Sequence, residues 1–187
     1  MQNKRLGRPP KFDREVVLNQ AMEIFWRNGA AATTTRTLED ELGVGQSSLY
    51  NTFGSKEGLL TEALAHYEAK LDEAVLSILQ EPSKDALCEF VDALHEWVGS
   101  PGRPGCLIMN LAAEDPMHHN RLDDYRDKVR TAIKPSVETF SHTAEVGHRT
   151  ELLVVALFGL TVSARTAAEP DVLDDMASAI KAQISAW

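Results

Sequence analysis

Between Gln46 and Thr52 the chain reads Gln-Ser-Ser-Leu-Tyr-Asn-Thr, and Phe53 follows. If this stretch is helical, Leu49 and Phe53 lie four apart and point inward. Ser47, Ser48, Tyr50, Asn51 and Thr52 are then left nearer the outside. Small, polar and aromatic groups on one exposed helix face suit the reading of base-pair edges. The major groove of DNA admits one α-helix and presents a distinct donor and acceptor pattern for each base pair. Gln46 can pair through two hydrogen bonds with an adenine edge.

The surrounding residues supply the elements that would hold such a helix. Asp13 precedes an apolar-periodic run and can cap a first helix. Val17, Ala21, Ile24 and Phe25 recur at helical spacing, so that helix has one face to bury. Asn28-Gly29 ends it, since both residues tolerate the left-handed conformation. Thr34 can cap a second helix with Leu38 and Leu42 on its core side. Gly43 allows a sharp turn, Val44 packs inward, and Gln46–Phe53 form the third helix. Ser55 caps a fourth, with Lys56 and Glu57 in its first turn.

The motif Thr-Thr-x-x-x-Leu, then Leu-Gly-Val-Gly-Gln-Ser-Ser-Leu-Tyr-x-x-Phe, then Ser-Lys-Glu-x-Leu-Leu resembles the DNA-binding domain of the tetracycline-repressor (TetR) family. The resemblance covers about the first sixty residues. It implies that Thr35 and Arg36 anchor phosphates and that Gln46, Ser47 and Ser48 face base edges. It also implies that Tyr50 meets a phosphate or a thymine methyl, and that Lys56 meets a phosphate. The aromatic residue that often follows the glycine after the first helix is Ala30 here. Singly, each residue has a plainer reading: a threonine pair before a helix is usually a cap, and a helical tyrosine is usually half-buried. Their joint spacing carries the functional one.

The arm preceding the first helix, MQNKRLGRPPK, holds Lys4, Arg5, Arg8 and Lys11 and no acid. Gly7-Arg8-Pro9 is extended, because proline excludes the α region for the residue before it. An arginine there can reach a narrow minor groove; otherwise the arm is a solvated terminus. Through residue 60 eight basic residues face seven acidic ones, so the segment carries +1 while the remainder carries −10 of the total −9. That asymmetry suits a binding head on an acidic regulatory body.

The 187 residues suffice for two domains: residues 1–55, the arm and head, and 56–187, a helical body for ligand binding and dimerisation. The expected fold class is all-α with about nine helices. Past Ser55 the patterning predicts helices near 56–79, 84–98, 106–113, 120–145 with a kink at Pro135, 149–167 and 171–186. No signal peptide is expected, no stretch approaches the ~20 apolar residues of a membrane span, and Cys88 and Cys106 are too few for a disulfide framework. A cytoplasmic protein with no cofactor and no membrane partner is expected.

The apolar run LLVVALFGLTVSA cannot all be buried by one small body, and Ala156, Gly159, Ser163 and Ala167 would let a second helix approach closely. With Met176 and Ile180 on the last helix they make a candidate homodimer interface; burial within one chain is the alternative. A dimer also suits a palindromic double-stranded operator, because one helix-turn-helix makes few contacts. Trp97, Met109, Phe140 and Phe158 are candidate walls of a pocket for a small-molecule effector, with Asn110 and Thr161 as polar contacts, or else ordinary core. Cys106 begins a predicted helix, where the dipole would favour a thiolate able to sense electrophiles or oxidants; Arg103 adds charge. The alternative for Cys106 is simple packing.

Enzyme chemistry finds no support: no nucleophile elbow and no phosphate-binding glycine loop is present. His142, Glu145 and His148 share a three-residue step but match no ligand motif, and adjacent helical residues such as His118-His119 diverge by about 100°. The expected function is transcriptional regulation: a repressor released from its operator by a ligand or by thiol modification. An activator with the same head, or a metal-sensing repressor, is the alternative.

Overall fold

The computed structural model describes residues 12–102, 105–166 and 169–187. Arg8 and the rest of the basic arm, Arg103 and Ala167 therefore lie outside the described residues. Among the described residues all regular structure is helical, as expected. The elements are α1 (Arg14–Asn28), α2 (Thr35–Leu42), α3 (Gln46–Phe53), α4 (Lys56–Ala74), α5 (Lys84–Gly99), α6 (Leu107–Glu114), α7 (His119–Glu138), α8 (Thr143–Arg165) and α9 (Pro170–Ala186). Two short 3-10 turns, Leu76–Gln80 and Pro116–His118, lie between them. The chain divides into two compact units, Met1–His66 and Tyr67–Trp187.

In the first unit each boundary has a local chemical cause. The Asp13 carboxylate accepts from the N–H groups of Glu15 and Val16 at 2.9 and 3.2 Å, satisfying donors that the first turn leaves open. Thr34 does the same for Thr37 N–H at 3.1 Å. Gly43 ends α2 at φ +63°, in the left-handed region where a side chain is strained. Val17, Ala21, Ile24 and Phe25 are buried, as are Leu38, Leu42, Leu49, Phe53, Leu59 and Leu64, and α2 packs on both α1 and α3.

In the second unit α5 packs on α8 and α9, and α7 on α8. Phe90, Val91 and Leu94 of α5, Val129 and Ile133 of α7, Leu153, Leu157 and Leu160 of α8, and Leu173 and Ile184 of α9 are buried. Three sequence expectations are corrected here. The fourth helix stops at Ala74, not near residue 79. The Ser77 hydroxyl takes the Glu73 carbonyl at 2.6 Å, the acceptor its own N–H would use, and the chain tightens to 3-10 geometry. The seventh helix runs through Pro135 but ends at Glu138, and the eighth begins at Thr143. The Thr139 hydroxyl and N–H both turn back to the Ser136 carbonyl, at 2.7 and 3.2 Å, which closes the helix there. Lastly, α8 is by length and composition long and apolar enough to cross a membrane. Its apolar content has another use, since one side of it lies in the core of the second unit.

Candidate nucleic-acid interface

Helix α3 buries Leu49 and Phe53 and turns its other face outward. Gln46, Ser47 and Asn51 are exposed, while Ser48, Tyr50 and Thr52 are half-buried. Gly45 at its N-cap has no side chain to offer the first turn. The Glu39 carboxylate of α2 reaches across instead and accepts the Gln46 N–H at 2.5 Å. A negative charge at this end also complements the helix dipole. Glu39 thus ties the two arms of the helix-turn-helix together, a role that no sequence signal marked.

Other side chains set the surface around α3. Thr35 Oγ1 and Tyr50 Oη lie 2.9 Å apart in a hydrogen bond, so the start of α2 and the middle of α3 present one joined polar patch. The Thr52 hydroxyl donates to the Ser48 carbonyl at 3.0 Å, leaving only its acceptor side to a partner. Arg36 is 90% exposed and only loosely paired with Asp40 at 3.8 Å, which leaves its guanidinium open to solvent.

Lys56 is placed differently from a free surface cation. Its Nζ donates to the carbonyls of Ala30 and Thr33 at 2.8 and 2.7 Å, pinning the turn between α1 and α2 to the start of α4. One N–H remains for a phosphate. Charge-assisted hydrogen bonds contribute more than neutral ones. Lys56→Ala is expected to lower the stability of the head by roughly 1–2 kcal/mol, discounted for partial exposure, measured by chemical denaturation. It should also flatten the salt dependence of operator binding by about one unit per subunit. Lost stability with an unchanged salt slope would leave Lys56 a structural clamp alone.

The body encloses a small apolar cavity lined by Tyr67, Leu71, Phe90, Cys106, Met109, Tyr125, Phe158 and Thr161 among others. Of the expected effector contacts, Cys106, Met109, Phe158 and Thr161 reach it. Trp97 stands behind it, its Nε1–H donating to Tyr67 Oη at 3.1 Å. Asn110 is buried in α6 but is not among the lining residues. Phe140 is a correction: α7 ends before it, and its ring packs 4.7 Å from the Lys84 Nζ at the start of α5. Tyr67 and Tyr125 were invisible as wall residues, because burial of a tyrosine on a helix leaves no spacing signal.

Cys106 is a second correction. It precedes α6 as expected, and the Ile108 and Met109 N–H groups and the Tyr67 hydroxyl do point at its sulfur. Burial nonetheless dominates and pushes the thiol above its ordinary range, so the thiolate is disfavoured. The helix-dipole argument omitted the cost of removing the sulfur from water.

The expected dimer face is partly open in the single chain. Leu152, Val155 and Val162 on α8 are 45%, 69% and 48% exposed, on the side that also carries Ala156, Gly159 and Ser163. Nothing lies within 4 Å of the position a Gly159 Cβ would take. On α9, Met176 is half-buried, whereas Ile180 is 7% exposed and belongs to the core of its own subunit. Among the described residues no group of three or more His, Cys, Asp or Glu side chains is placed to hold a metal ion.

A capped, glycine-turned pair of helices with a polar outer face, in a chain whose second unit is all-helical, defines a helix-turn-helix DNA-binding protein. Residues 17–63 match the family model described as bacterial regulatory proteins, tetR family. The chain is 28% identical over 195 residues to the HTH-type transcriptional repressor ComR of Escherichia coli (strain K12), covering 93% of this chain and 90% of ComR. It is 32% identical over 130 residues to the uncharacterized HTH-type transcriptional regulator YezE of Bacillus subtilis (strain 168), covering 66% of this chain and 65% of YezE. A cysteine-substituted TetR family regulator, CifR, solved with 26-base-pair operator DNA, aligns with a TM-score of 0.82 at 25% identity, covering 97% of this chain and all of that one. Residues 17–63 thus carry a TetR-family head, and the chain is a DNA-binding transcriptional regulator.

Proposed function

We propose that the protein is a cytoplasmic homodimeric repressor, not an enzyme, that grips a palindromic operator with Gln46–Thr52 of each subunit. The observation that carries this is the outer face of α3: Gln46, Ser47 and Asn51 are exposed on a helix held at both its start and its turn. Thr35, Arg36 and Tyr50 anchor the backbone on either side, and Arg8 reaches a minor groove. The names of the relatives ComR and BdcR, both repressors, support repression over activation. The exposed side of α8 supports the dimer, with half-sites one helical turn apart, ~34 Å. A ligand in the body cavity releases the operator. The neutral, buried Cys106 thiol favours a non-covalent effector over thiol modification.

The test is base selectivity. An amide paired to an adenine edge discriminates by ~1–3 kcal/mol. Gln46→Ala is expected to relax preference at one position in each half-site, read by sequencing the DNA fragments each protein retains. Equal losses on operator and random DNA would sink the base-reading role.

A further inference from the structure

The apolar cavity and a surface groove share one wall residue. The groove, about 490 Å³, is lined by Glu68, Met117, Asn120, Arg121, Lys128 and Tyr125, among others. Glu68 and Arg121 pair across it at 2.6 Å. The cavity behind offers only about 10 Å³, room for about one water. Among the described residues Tyr125 alone lines both. It is half-buried, with its ring 6.4 Å from that of Phe158. One rotation of the Tyr125 side chain would therefore join groove and cavity and enlarge the space within.

The lining decides what chemistry could follow. Among the described residues no charged side chain lines the cavity, so a charged guest would be buried there without a partner at high cost. Leu71, Phe90, Met109, Leu157 and Phe158 are apolar walls. Thr161 already donates its hydroxyl to the Leu157 carbonyl at 2.9 Å. The Tyr67 hydroxyl accepts from Trp97 and bonds the Cys106 sulfur, a weak acceptor that a ligand oxygen would outcompete. Burial, and after it the neighbouring Cys106, hold the phenols of Tyr67 and Tyr125 well above the usual tyrosine range, so both stay neutral donors.

We propose that Tyr125 is a door between groove and cavity, and that the effector is a small, uncharged, largely apolar molecule whose one hydrogen-bond acceptor takes the Tyr67 hydroxyl. This rests on the body cavity being the effector site. The probe is N-phenyl-1-naphthylamine, neutral and fluorescent in apolar surroundings, mixed with the full chain in stopped flow. Tyr125→Ala is expected to speed its association by about tenfold or more, since opening of a closing element otherwise limits the rate. Asn120→Trp, an exposed substitution on the groove wall that spares the core, should slow it several-fold. Anilinonaphthalene sulfonate, of similar shape but charged, should not compete. Unchanged rates in both variants, no binding of the neutral probe at all, or equal competition by the sulfonate would overturn the proposal. Operator release is scored separately. Probe that passes Tyr125 yet leaves DNA bound would sink the effector-site reading while the door stands.

Discussion

Gly159→Glu is expected to give a folded monomer that no longer holds operator DNA. In the single chain there is open space where a Gly159 Cβ would stand, so a larger side chain meets no clash within the subunit. The same face carries Val155 at 69% exposure and Leu152 and Val162 at 45% and 48%. In the proposed dimer that face is covered, and a carboxylate there loses water without gaining a partner. Such a charge costs about 3–5 kcal/mol, which raises the dimer dissociation constant by roughly two to four orders of magnitude. Gly159→Ala separates the two settings. In an isolated subunit it should stabilise α8 by up to about 1 kcal/mol through helix propensity. In a tightly packed dimer its methyl group should weaken association. Light scattering gives the mass, and a mobility-shift titration gives operator affinity. A Gly159→Glu protein that remains dimeric would remove α8 from the interface.

Gly58→Ala should abolish operator binding by a different route, with the dimer intact. A Cβ on Gly58 would lie 2.0 Å from the Phe53 carbonyl oxygen and 3.2 Å from its carbon. Both are backbone atoms at the end of α3, so no side chain can swing away to make room. Relief requires α3 and the first turn of α4 to separate. That would strain the two Lys56 hydrogen bonds that hold the turn after α1. Overpacking of this kind costs about 3 kcal/mol, taken from a head with a small core of its own. The expected outcome is a lowered unfolding midpoint by circular dichroism, loss of DNA binding and an unchanged mass. Full operator affinity with an unchanged midpoint would show that the backbone accommodates the methyl group.

The two substitutions act on opposite kinds of information. Asp13, Thr34, Gly29 and Gly43 act on donors and acceptors within four residues of themselves. The beginnings and ends of α1 and α2 were therefore legible from the chain alone, and so was the inward pair Leu49 and Phe53 that aims the outer face of α3. The all-helical class follows in the same way from 3.6-residue periodicity. The family motif is local too, which is why the head could be recognised from about sixty residues.

What only the tertiary structure decided depends on groups far apart in sequence, or on burial. Lys56 reads as a surface cation until folding brings the Ala30 and Thr33 carbonyls, 26 and 23 residues away, onto its ammonium. Glu39 reads as one acid among three until the Gly43 turn swings Gln46 N–H against it. Cys106 sits where a helix start lowers a thiol pKa, yet its burial raises it, and burial belongs to the neighbours rather than to the residue. Phe140 looked like a cavity wall because hydrophobicity carries no direction. The turn closed by Thr139 sends it to Lys84 instead. Local hydrogen bonds are short-range and written in the chain, whereas desolvation and long-range pairing exist only once the helices have packed.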